Sequence, residues 1–163
     1  MTVSTLKTLR SIASAGVLIA LVGSTGTAQG PVPGLGTWTL DVANSKYSPG
    51  PTPKSGTVTF TAVGQAVKAV VDLLGPDGSK IHWEYTAALD GKPVPVTGNP
   101  DGDMVVAKRT NTNTIETSYT LKGKPTTVNT RVVSADGKTL TVTSAGTNGQ
   151  GQKVNNHQVF TKS

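Results

Sequence analysis

The chain has 163 residues, 35% hydrophobic, 4% aromatic and 15% charged, with 19 Gly, 10 Pro, no Cys and a formal net charge of +6. That length suits one domain better than two. The composition excludes a collagen helix, a coiled coil and a disulfide scaffold, and it holds too little charge for a wholly disordered chain.

Residues 1–28 read as a secretory signal peptide. Lys7 and Arg10 come first, residues 12–22 (IASAGVLIALV) form a short apolar run, and Gly26 and Ala28 stand where a cut after Ala28 needs small residues. The run is shorter than the ~20 apolar residues of a permanent helical anchor. The expectation is therefore an exported protein, periplasmic or extracellular, with no permanent membrane anchor. Losing Lys7 and Arg10 lowers the net charge from +6 to +4. No stretch interleaves Lys and Arg with aromatics, so nucleic acid is not an expected partner.

Residues 29–34 (QGPVPG) predict an extended linker, because Pro and Gly disfavour both helix and ladder. From Gly36 onward the pattern is period-two alternation. Val58, Phe60 and Ala62 alternate with Thr57, Thr59 and Thr61, and Val67, Ala69, Val71 and Leu73 follow on the next run. Ile81, Trp83, Tyr85, Ala87 and Leu89 alternate with His82, Glu84, Thr86 and Ala88. Further on, Ile115, Thr117, Tyr119 and Leu121 form one face, and Leu140 and Val142 another. Such runs are strands with one buried face, and their Thr and Val suit a pleated surface. Turn signals punctuate them: Asp77-Gly78, Asp90-Gly91, Asp101-Gly102, Asp136-Gly137 and Asn148-Gly149.

About nine strands result, at 36–42, 56–63, 66–74, 79–89, 103–109, 113–121, 125–134, 138–146 and 152–161. The stretch 93–103 reads as irregular. Short links join antiparallel neighbours, and a sheet this wide must close to hide its edges. The predicted fold is all-β, a single up-and-down antiparallel β-barrel of about eight to ten strands over residues 35–163. A Greek-key sandwich is the alternative, but it needs long crossovers that few loops here supply.

Gly36-Thr37-Trp38-Thr39-Leu40 resembles the G-x-W opening of the calycins, the lipocalins and fatty-acid-binding proteins. The resemblance implies a lipocalin-like barrel in which the tryptophan plugs a closed end and the glycine lets the first strand bend. Residues 158–162 (QVFTK) resemble the closing strand of fatty-acid-binding proteins, but Gln158 and Phe160 stand where the Arg and Tyr of their carboxylate clamp would be. Residues 48–55 (SPGPTPKS) are also too few for a two-helix lid. The segments GTWTLDVANSKYSPGPTPKSGTVTF, IHWEYTAALDGKPVPVTGNPDGD and RVVSADGKTLTVTSAGTNGQGQ are similar to small secreted bacterial proteins of unknown function, a resemblance that brings no activity with it.

Phe60, Trp83, Tyr85 and Tyr119 are the residues expected to line a ligand cavity, since aromatic faces stack on apolar molecules while polar edges orient them. Their alternative is ordinary core. Arg109 and Arg131 are the arginines of the mature chain, and either, if turned inward, would seek a carboxylate or phosphate. Otherwise they lie on a solvated face near Glu84 or Glu116. His82 and Glu84 share a strand face, but only His157 could add a second imidazole, so no metal site or catalytic set is expected. Asn99, Asp101 and Asp103 have calcium-loop spacing without the distal Glu, which favours a turn. The sequence thus predicts a monomeric, non-enzymatic binder of a small apolar or amphipathic molecule, without cofactor or metal. The other reading is a protein-interaction module, an inhibitor or envelope scaffold working through its loops.

Overall fold

The computed structural model describes residues 30–163; the predicted signal peptide and Gln29 lie outside them. Ten strands follow one another: β1 (Gly36–Leu40), β2 (Ser55–Val63), β3 (Ala66–Leu74), β4 (Lys80–Ala87), β5 (Asp90–Thr97), β6 (Met104–Asn111), β7 (Thr114–Leu121), β8 (Lys124–Val133), β9 (Thr139–Thr147) and β10 (Lys153–Lys162). Each pairs antiparallel with its chain neighbour, and β1 pairs with β10, so the sheet is a closed up-and-down barrel. Closure leaves no unpaired edge, which is how a wide antiparallel sheet avoids associating with other chains. The architecture is compatible with the lipocalin-like barrel implied by the G-x-W opening.

The alternation places the inward faces where the sequence puts them. Val67, Ala69 and Val71 of β3 are buried, as are Tyr85 and Ala87 of β4 and Ile115, Thr117 and Tyr119 of β7. Val58 and Phe60 of β2, Val105 and Ala107 of β6 and Leu140 and Phe160 of β9 and β10 complete the core. Burying a Val, Leu, Ile or Phe side chain contributes ~1.5–3 kcal/mol, so this single interior supplies the main stabilisation.

One end is closed. Trp38 is fully buried, and its indole Nε1–H donates to the Gly34 carbonyl at 2.8 Å. Gly34 lies against Val133 and the Trp38 ring, while Val32 and Leu35 pack on the core. The described part of the segment expected to be an extended linker, residues 30–34, is therefore a strap over this end. Its apolar residues cover core that would otherwise meet water.

The strand missing from the sequence reading is β5, which occupies part of the stretch taken as irregular. Pro93 and Pro95 hide it, because proline is depleted from paired strands. The Val96 N–H donates to the Asp103 carbonyl at 2.9 Å, so even-numbered residues of β5 aim their backbone groups at β6. Pro93 and Pro95 therefore face β4. The β4–β5 ladder holds Glu84↔Thr97 and Tyr85↔Val96 and stops there. In that register the next donors would come from Pro95 opposite Thr86 and Pro93 opposite Ala88, and proline has none. Leu89, with a φ of 54°, turns the chain between the two strands.

The turns close as their aspartates dictate. Asp136 accepts from Ser134 Oγ and from the Lys138 N–H, and Asp77 accepts from Ser79 Oγ and N–H. These bonds hold both carboxyls below the usual aspartate value, the serine hydroxyl being the larger cause in each.

Candidate functional site: a barrel cavity with a buried arginine

Inside the barrel lies a cavity of ≈ 300 Å³. Its lining reaches Tyr47, Asn99, Pro100 and Asp101 in the β1–β2 and β5–β6 loops, opposite the Trp38 end. The loop 98–103 is tied down across that mouth. Asp101 Oδ1 accepts from the Gly149 N–H at 2.9 Å, Thr126 Oγ1 donates to the Asp101 carbonyl at 2.6 Å, and Asp103 Oδ2 accepts from the Lys122 N–H at 2.8 Å. The Asn99 side chain accepts from the Asp101 N–H at 2.9 Å. Asn99 thus closes a local turn, while Asp101 and Asp103 bind the loop to its neighbours.

The two walls differ in chemistry. Strands β2, β3 and β4 contribute Val58, Phe60, Ala69, Val71, Ile81 and Trp83, an apolar surface. Trp83 and Tyr85, two residues apart on β4, stack with ring centroids 6.1 Å apart, and Tyr119 meets Trp83 edge-on at 5.8 Å. Strands β8, β9 and β10 face them with a more polar surface, in which Asn129, Arg131, Ser144, Asn156 and Gln158 stand among Val142, Val154 and Phe160. Gln158 Nε2 donates to Ser144 Oγ at 3.1 Å. Asn129 Oδ1 and the Tyr47 hydroxyl are buried without a hydrogen-bond partner. Buried polar atoms of that kind are costly and call for an explanation.

Arg131 is the centre of the site. It is only 6% exposed, and its guanidinium carbon lies 3.6 Å from the centroid of the Phe60 ring. Burial pulls its pKa down, with the neighbouring Tyr85 and Tyr119 phenols opposing that shift. A guanidinium nevertheless stays charged throughout the physiological range. Burial pushes both phenols up, Tyr119 most strongly, so each is a neutral hydroxyl at neutral pH.

Of the residues singled out in the sequence, Phe60, Trp83, Tyr85, Tyr119 and Arg131 all line this one cavity. Arg109 does not. It is half-buried at the far end of β6, where its guanidinium donates to the carbonyls of Gly30 at 2.6 Å, Thr112 at 2.7 Å and Asn111 at 3.2 Å. Its partners are backbone oxygens of the strap and the β6–β7 turn rather than Glu84 or Glu116.

His82 and Glu84 point out of the barrel, His82 Nδ1 pairing with Asp72 at 2.6 Å and Glu84 with Lys68 at 2.8 Å. His157 is exposed on β10, four strands away around the wall, and exchanges backbone bonds with Lys46. These three side chains do not converge. Among the described residues no group of three or more His, Cys, Asp or Glu is placed to hold a metal ion.

Sequence reasoning did not single out Asn129, Ser144, Asn156 or Tyr47, and it named Gln158 only as standing in place of a clamp arginine. A signal for the first existed: Ile115↔Arg131 and Thr117↔Asn129 are cross-strand partners, and partners share a face. No protein-family model, curated protein or solved structure matches this chain.

Proposed function

We propose that the protein is an exported, non-enzymatic β-barrel that binds a small, partly apolar molecule through its mouth, acting as a monomer and without a cofactor. The observation that carries this reading is the cavity of ≈ 300 Å³ with an aromatic wall facing a polar one. That volume is at the small end of ligand pockets, and the balance of apolar surface with a few fixed polar groups is what such pockets use. Apolar burial at ~25 cal/mol per Å² would supply affinity, and the polar wall would supply orientation. Buried polar atoms without partners support the same reading, since a bound molecule can satisfy them. The signal-like leader supports export.

Native mass spectrometry of the protein purified without denaturant from the culture that makes it tests this reading. The expected spectrum shows an added small mass that leaves on acidification. The bare polypeptide mass, unchanged after incubation with a mixed lipid and metabolite extract, would count against it.

A further inference from the structure

The ligand's charge follows from Arg131, the one cation in the cavity lining; the carboxylate at its mouth, Asp101, is held by the Gly149 N–H. We infer that the cavity is built for an organic monoanion, a small carboxylic acid whose apolar body lies against Phe60 and Trp83 while its carboxylate pairs with Arg131. This inference rests on the binder reading and sharpens it.

Arg131 is a buried cation that lines the cavity, and no carboxylate pairs with it among the described residues. Among the described residues the ion pairs are Lys68–Glu84, His82–Asp72 and Lys92–Asp90, and none involves Arg131. The strand carboxylates cannot reach it from inside, because Glu84 and Glu116 alternate with inward Tyr85 and Ile115 and so face outward. Taking an unpaired charge out of water is strongly unfavourable. The Phe60 face offsets part of that cost but leaves the guanidinium N–H groups without an anionic acceptor. A carboxylate offers the planar, two-oxygen match to the guanidinium fork. A dianion such as a phosphate monoester would leave one negative charge buried and unmatched, so a single charge fits one arginine best.

The mouth carries charge of the matching sign. Lys46, Lys54, Lys80, Lys122, Lys124 and Lys153 are exposed in or beside the loops at the open end. The loop carboxylates at that end, Asp41, Asp77, Asp101 and Asp103, are fewer than the lysines, and they are hydrogen-bonded to Asn44, Ser79, Gly149 and Lys122 respectively. A rim of this kind attracts anions and raises their rate of entry.

The test uses two probes of nearly equal shape, 2-naphthoate and 2-naphthylmethanol, titrated calorimetrically into the protein after unfolding and refolding to remove any carried molecule. The acid should bind the wild type at least about tenfold more tightly than the alcohol. Arg131→Met should weaken the acid by about 30-fold or more and so remove its advantage over the alcohol. Arg131→Lys, which keeps the charge but loses the fork, should retain a reduced preference for the acid, and it serves if the methionine variant does not fold. Alcohol binding with no advantage for the acid, or a preference that survives in Arg131→Met, overturns the anion assignment and leaves the cavity reading standing. Failure of both probes to bind the wild type overturns the two together.

Discussion

A guanidinium enclosed in a barrel does not stabilise the empty protein. Arg131 gives up its hydration for a contact with the Phe60 ring at 3.6 Å, and a cation–π contact contributes only ~0.5–2 kcal/mol. Replacing buried charge with apolar side chains of similar volume is often neutral or stabilising by ~1–4 kcal/mol. Arg131→Met should therefore raise the thermal midpoint of the ligand-free protein, or leave it unchanged, while removing acid binding. A markedly lower midpoint would mean that Arg131 holds the fold together instead. The sequence offers only a weak pointer to this residue, for a physical reason. On β8 the outward positions include Val128 and Val132, whereas the inward ones are Thr127, Asn129, Arg131 and Val133. The polarity of the strand is inverted, so alternation by itself points the wrong face inward. Only pairing with β7, whose inward Ile115, Thr117 and Tyr119 are plain in the sequence, settles the direction. Trp83, Tyr85 and Tyr119 were legible because their own strands alternate normally.

At the level of elements, the β-strands were legible where Thr and Val alternate between turn signals, and β5 was not. Its two prolines argue against pairing, and the argument is half right: β5 pairs with β6, where its N–H groups point, and hardly with β4, where the prolines face. The barrel thus has one thin seam. Hydrogen exchange should show it. The Thr86 amide, which can meet only the Pro95 carbonyl across a seam where the prolines return no N–H, is expected to exchange faster than that of Tyr85, which faces the continuous β3–β4 ladder. Equal protection of the two would show that the seam is closed by bonds other than the ladder. Gly98, with a φ of +83°, sits where a Cβ would run into the His82 carbonyl, and it brings β5 back to the loop over the mouth. The glycine is visible in the sequence, but this close approach depends on strands brought together only by the closed barrel.

For the whole molecule, one interior does two jobs. Its lower part is a packed plug of Trp38, Leu140 and Val133 beneath the strap of residues 30–35, and its upper part is the cavity, walled by aromatics on one side and by amides, hydroxyls and a cation on the other. With 4% aromatic residues the chain has few large side chains to spend, and it concentrates them around the plug and the apolar wall. The remaining volume is left for a guest. The central claim, that the guest is an organic acid held on Arg131, is tested most directly by a crystal structure of the protein grown with 2-naphthoate. Density for the ring is expected between Phe60 and Trp83 and the polar wall, with both carboxylate oxygens on the Arg131 guanidinium. A cavity holding water alone, or a ring seated with its carboxylate turned away from Arg131, would contradict it.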